Sequence, residues 1–181
     1  MSKSPNSGIT VSTAEVDAAE SVVLLREYFA EMTARYIGRQ PTDSEIESSM
    51  AEDPSTDLSG DTGRFLVARV NGRPVGCVGL RHYDEHTGEL TRMFVVEPSR
   101  RQGLGASLLR AAERAAVELG MGAIRLDTRG DLVEARKLYA DNGYEEIEPY
   151  SDALYADHWF EKRLCGMNSS QASRKIPRTA Y

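Results

Sequence analysis

The residues best suited to chemistry form one run, Arg100, Arg101, Gln102, Gly103, Leu104, Gly105 and Ala106, set between an apolar stretch ending at Val96 and a helical pattern. Gly103 and Gly105 allow tight backbone conformations and the close approach of a ligand. Free N–H groups at a helix start, helped by the helix dipole, make an anion site. Two adjacent arginines can pair with phosphate oxygens directly. On a plain solvated surface such arginines need no explanation, but beside this glycine pair they point to a pyrophosphate. A dinucleotide is a poor guest, because Leu108 stands where its binding pattern has a third small residue and the strand ends too far before Gly103. Asp127, about twenty residues on, is the one feature in its favour and is incidental on this reading. The Gly-Lys-Ser/Thr ending of a nucleotide phosphate loop is absent.

Other candidates are less specific. Glu89, Thr91 and Met93 share one face if their segment is extended, since alternate strand residues point the same way. Glu89 is then either a carboxylate aimed into a site or an exposed strand-edge residue. His82-Tyr83-Asp84-Glu85-His86 offers His82 and His86 as further bases. A hydrated turn is the better reading of that segment than a metal site, and no metal is expected. Cys77 and Cys165 give neither a disulfide framework nor a metal spacing, and Cys77 reads as a small buried hydrophobe.

A mixed sheet must position these groups. Residues 9–11 can form a short first strand. Val22, Leu25, Phe29, Met32 and Tyr36 recur at spacings that predict one face of an amphipathic helix. Thr42-Asp43-Ser44-Glu45 after Pro41 is a capping box that opens a second, short helix, and residues 51–63 form an acidic, turn-rich loop. Residues 65–70, the hairpin dipeptide Asn71-Gly72, residues 75–83, a turn over 84–88 and residues 89–96 predict an antiparallel meander. Leu108, Ala112, Ala115 and Leu119 share a helix face that Gly120 ends. A strand over 124–127, a helix over 132–141 capped by Asp131, and strands over 144–147 and 158–164 complete the pattern. A helix between Val96 and Ile124 most simply joins two parallel strands. The expected fold is α/β, a mixed and mostly antiparallel central sheet of roughly six to seven strands flanked by about four helices.

The 181 residues suit a single domain over residues 1–165 and a polar, basic, disordered tail over 166–181. Net charge is -6, and the cations Arg174, Lys175 and Arg178 of the tail leave the body more acidic still. That field disfavours nucleic acid and membrane phosphate and favours cationic small molecules or basic peptides. No apolar stretch reaches transmembrane length and the N-terminus is not signal-like, so a cytoplasmic protein is expected.

The run from Arg100 to Ala106 fits R-x-x-G-x-G/A, and here the chain resembles the GNAT superfamily of N-acetyltransferases. Glu89-Leu90-Thr91-Arg92-Met93-Phe94-Val95-Val96-Glu97-Pro98 is similar to that family's central strand running into the loop. Residues 124–128, Leu138-Tyr139 and Asn142-Gly143-Tyr144 resemble its later strand, helix and closing turn. The resemblance covers residues 9–164 and is strongest over 89–144. Two departures stand out. The segment between Pro98 and Arg100 is one residue shorter than usual, and Leu132 replaces an Asn that often contacts the cofactor.

The resemblance implies acetyl-CoA as co-substrate and direct attack of a primary amine on its thioester. Arg100, Arg101, Gln102, Gly103, Leu104, Gly105 and Ala106 would hold the pyrophosphate. Met93, Phe94 and Val95 would meet the pantetheine arm through main-chain groups at a strand bulge. Tyr139 matches the tyrosine that often protonates the departing thiolate, a packed helix tyrosine being the alternative. Glu89 matches a carboxylate that in some members takes the amine proton through water. Tyr28, Tyr36, Tyr150, Tyr155 and Trp159 would flank the acceptor, although helical spacing places Tyr36 equally well in the core. A small-molecule amine or amino-acid-like acceptor comes first, and a protein lysine or N-terminus second. A non-catalytic acyl-CoA-binding module is the competing class, with a nicotinamide-dinucleotide enzyme a distant third. Homodimers are common among look-alike proteins, so a homodimer is compatible with the resemblance.

Overall fold

Asn71-Gly72 makes the tight turn its chemistry favours. Both residues have positive φ, 51° and 80°, and they join β2 (Gly63–Val70) to β3 (Arg73–His82) with Val70 opposite Arg73. The next turn is held by Asp84, whose Oδ1 accepts from the N–H groups of His86 and Thr87, both at 2.8 Å. It leads into β4 (Thr87–Val95) and completes the meander. The computed structural model describes residues 8–164, so Cys165 and the tail assigned to 166–181 lie outside the described residues.

The remaining elements are β1 (Ile9–Thr13), α1 (Ala19–Ile37) and α2 (Asp43–Glu52) before the meander, and a short 3-10 turn (Glu97–Ser99) after it. Then come α3 (Leu104–Glu118), β5 (Ala123–Thr128), α4 (Val133–Asp141), β6 (Glu145–Ile147) and β7 (His158–Arg163). The sheet has seven strands in the order β1-β2-β3-β4-β5-β7-β6. Every neighbouring pair is antiparallel except β4 and β5, which α3 connects as a parallel pair. The mixed, mostly antiparallel α/β fold expected from the sequence is the one observed.

Strand alternation divides the core in two. On one face Val78, Leu80, Leu90, Ile124 and Leu126 pack against Leu104, Leu108, Ala112 and Ala115 of α3. On the other, Phe65, Val67, Cys77 and Phe94 meet Leu24 and Leu25 of α1. Cys77 is buried as its context suggests, and burial pushes its thiol pKa up.

Two local expectations need correction. The buried stripe of α1 is Ser21, Leu24, Leu25 and Phe29, whereas Val22 is 42% and Tyr36 60% exposed. Leu24 rather than Val22 points at the sheet, and Tyr36 faces the cleft described below. Asp131 does not cap α4. It takes a two-pronged contact from Arg129 at 2.8 and 3.2 Å, and α4 starts from Leu132 without a side-chain cap.

The capping box of α2 is complete. Glu45 Oε2 accepts from the Thr42 N–H at 2.8 Å, Thr42 Oγ1 accepts from the Glu45 N–H at 3.3 Å, and Arg39 grips the same carboxylate. Thr42→Ala is expected to lower stability by about 1 kcal/mol, measurable as a shift of the urea midpoint with an unchanged slope.

Candidate active site

β4 and β5 run side by side only at Thr87, Gly88 and Glu89, opposite Ala123, Ile124 and Arg125. Beyond that point both strands continue, but residues 90–95 of β4 have no partner on β5. The cause lies on the other edge of β4. Cys77 of β3 faces Phe94 and Gly79 faces Thr91, so β4 carries one extra residue there. Such a bulge bends the strand and sharpens its twist.

Arg92 occupies the bulge with φ 53°, a left-handed conformation that residues with side chains adopt rarely. Its side chain is only 5% exposed and every group it offers is engaged. Nε donates to Ser55 Oγ at 3.1 Å, and Nη2 reaches the carbonyl oxygen and the carboxylate of Asp53, both at 2.9 Å. The guanidinium also lies 4.9 Å from the centre of the Phe29 ring. α1 and the end of α2 therefore hold the bulge in place. Arg92→Ala is expected to cost about 1–3 kcal/mol and to loosen β4, seen as a lower melting temperature together with faster amide exchange over residues 90–95.

The gap between the strands opens into a cleft of about 930 Å³ bounded by β4, β5, α1, α2, α4 and residues 153–156. The start of α3 borders it. Gly103 is the N-cap with φ 79°, no side chain caps the helix, and the first bond of the turn runs from Ser107 N–H to the Gly103 carbonyl at 3.1 Å. The amides of Leu104, Gly105 and Ala106 are thus the orphan donors of a helix start. The two glycines serve different ends. Nothing lies within 4 Å of a Cβ at Gly103, so its need is conformational. A Cβ at Gly105 would come within 2.8 Å of Leu138 Cδ2, so Gly105 also lets α3 close onto α4.

The paired arginines diverge. Arg100 turns inward, with Nε donating to the Val95 carbonyl at 2.8 Å and the guanidinium paired with Glu31 of α1. Arg101 is exposed, with φ 60° and no ion pair among the described residues. Gln102 donates to the Pro98 carbonyl at 3.3 Å. Phe94 is buried in the α1-side core, while Met93 and Val95 pack partly buried against the other, so all three side chains contribute to packing.

Tyr139 is buried, with its ring 5.9 Å from those of Tyr144 and Phe160, and it lines the cleft. Burial pushes its phenol pKa up, so it carries its proton at neutral pH. Glu89 lines the cleft where the strands part. Its Oε2 accepts from Arg81 Nε at 2.6 Å and its Oε1 from the Tyr150 hydroxyl at 3.3 Å, while Arg81 also reaches Asp57 at 3.0 Å. Tyr28, Tyr36 and Tyr155 line the cleft, Tyr36 and Tyr155 meeting edge to face at 4.8 Å. Tyr150 and Trp159 lie outside the lining, Trp159 donating to Ser151 Oγ at 3.2 Å. His82 at the end of β3 and His86 in the turn before β4 are exposed and do not line the cleft.

Three features escaped sequence reasoning. Positive φ at an arginine inside a strand leaves no mark in a sequence, so Arg92 could not have been found. The Arg81–Glu89 pair could have been, because the hairpin register places them opposite one another. Asp127, set aside above, lies on the same strand face as Arg125, the register partner of Glu89, and it lines the cleft.

Residues 25–144 match the model of the acetyltransferase (GNAT) family. Over 152 residues the chain is 28% identical to an uncharacterised N-acetyltransferase of Schizosaccharomyces pombe, covering 83% of this chain and 90% of that one. It is 29% identical over 158 residues to the N-acetylaspartate synthetase of Homo sapiens, covering 87% of this chain but only 48% of the human protein. A GNAT-family acetyltransferase structure from Staphylococcus aureus aligns with a TM-score of 0.69 at 21% identity, covering 86% and 99% of the two chains. The PaiA N-acetyltransferase of Thermoplasma acidophilum, solved with coenzyme A, aligns with a TM-score of 0.65 at 22% identity, covering 86% and 98%. These structures share the fold. With the family model matched from within α1 to the end of α4 and the fold shared across the sheet, the chain belongs to the acetyltransferase (GNAT) family.

Proposed function

We propose that the protein is an acetyl-CoA-dependent N-acetyltransferase acting on a primary amine of a small molecule. The observation that carries this reading is the parting of β4 from β5 after Glu89, which opens the main chain of residues 90–95 to a cleft bordered by the start of α3. The residues present suit coenzyme A. Orphan amides and the free Arg101 match a pyrophosphate, and an unpaired strand edge matches the amides of a pantetheine arm. Bound there, acetyl-CoA supplies an acyl group activated as a thioester.

The chain's own groups do the rest. Leu104, Gly105 and Ala106 donate N–H groups at the phosphate end, and Arg101 adds charge. Gln102 and Arg100 hold the loop against the end of β4. Main-chain groups of Met93, Phe94 and Val95 orient the arm and polarise the carbonyl. Glu89 receives the amine proton through water, with Arg81 and Tyr150 fixing its carboxylate. Tyr139 keeps its proton until a thiolate develops beside it. The reading includes a cytoplasmic setting; among the described residues no helix is long and apolar enough to cross a membrane.

Thiol release from acetyl-CoA, followed with a panel of amines and a lysine peptide, tests this. Release that depends on an added small amine is expected. Release only with the peptide would move the acceptor to proteins. Binding of acetyl-CoA without release by any amine would make the chain a non-catalytic acyl-CoA-binding module.

A further inference from the structure

The charges along the cleft are unevenly matched. Arg81, Arg92, Arg100 and Arg129 line it, and each is already ion-paired with a carboxylate. No lysine or histidine is in the lining. Among the described residues, then, no cation of the cleft is free to receive an acidic ligand. Asp127 is the reverse case. It lines the cleft, is partly buried, and has neither a hydrogen bond nor an ion pair to its carboxylate among the described residues.

Its position follows from the sheet. Arg125 is the register partner of Glu89, and Asp127 stands two residues further along the same face of β5. It lies beside the part of β4 that the bulge leaves open, in the same cleft as the proposed proton acceptor Glu89 and the proposed proton donor Tyr139 and close enough for its charge to act on both. Glu89 and Asp53 add negative charge around it, and Arg81 is the one nearby cation that offsets them. An unpartnered carboxylate held in such a place disfavours anions and rewards a cation that displaces its water.

We propose that Asp127 binds the ammonium group of the incoming acceptor, so that this enzyme's acceptors are cationic amines with no carboxylate beside the nitrogen. An α-carboxylate would meet Asp127 and Glu89 with every arginine of the cleft already engaged. This deepens the acetyltransferase reading and rests on it.

Matched pairs of acceptors that differ only in the α-carboxylate test the assignment: phenethylamine against phenylalanine, histamine against histidine, pentylamine against norleucine. With the wild-type chain and acetyl-CoA, kcat/KM is expected to be at least about tenfold higher for the amine of each pair. Asp127→Asn should raise KM for the amines by about tenfold or more. It should leave acetyl-CoA affinity, and KM for hydroxylamine, which is uncharged at neutral pH, near their wild-type values. The variant is expected to fold. Burial, and secondarily Glu89, raise the Asp127 carboxyl pKa. A carboxyl raised in the folded state contributes its stability below the unfolded value and loses it as pH rises through the raised one, so Asn removes a cost at neutral pH. Equal or better turnover of the carboxylated partners, an unchanged KM in Asp127→Asn, or no turnover of any pair by a chain that binds acetyl-CoA would overturn the proposal. Failure of the wild-type chain to bind acetyl-CoA would overturn the acetyltransferase reading beneath it, and that result is read separately.

Discussion

Tyr139→Phe is expected to lower turnover by about two orders of magnitude, the size of a lost general acid, while acetyl-CoA affinity stays within about twofold. The substitution removes one hydroxyl and keeps the ring, so the packing with Tyr144 and Phe160 persists. No hydrogen bond to another described residue is lost, and an apolar edge replaces a phenol whose burial already holds it protonated. The melting temperature should therefore hold or rise slightly. Single-turnover kinetics with a saturating amine separate the step affected from binding and product release. Wild-type turnover in the variant would remove Tyr139 from the chemistry and leave it a core residue.

The second large effect concerns the start of α3. Gly103→Val is expected to weaken acetyl-CoA binding by about tenfold to a hundredfold, because valine cannot easily hold φ 79° and the distortion falls on the amides proposed to hold the pyrophosphate. Nothing crowds a Cβ at that position, so the fold should survive with a modest loss of stability. Gly105→Val differs in kind. Its Cβ would collide with Leu138, so both affinity and melting temperature should fall. Calorimetric titration beside a thermal melt distinguishes the two variants. Equal affinity for acetyl-CoA in wild type and Gly103→Val would contradict the loop assignment.

How much of this could be read in the sequence depended on whether a feature is local. The Asn71-Gly72 turn, the Thr42–Glu45 box and the glycine run before α3 are set by short-range chemistry, and each forms where its residues predict. The parallel pairing of β4 with β5 followed from the helix between them. Features that depend on two elements meeting were harder. The rotation of α1 that exposes Val22 is decided by the sheet beneath it. The contact of Gly105 with Leu138 and the engagement of Arg100 by Glu31 need the docking of α4 and α1. Asp131 went to Arg129 because a neighbouring guanidinium competes with the helix start for its oxygens. The bulge at Arg92 was the least legible feature, since its backbone is imposed by partners on α1, α2 and the following loop, far away in the chain.

The central claim is that the opening between β4 and β5, together with the start of α3, is an acetyl-CoA site. The most direct test is calorimetric titration of the full chain with acetyl-CoA, with NADH as the control. Micromolar, one-to-one binding of acetyl-CoA with no heat from NADH is the predicted result. No binding of acetyl-CoA, or tight binding of NADH instead, would contradict it.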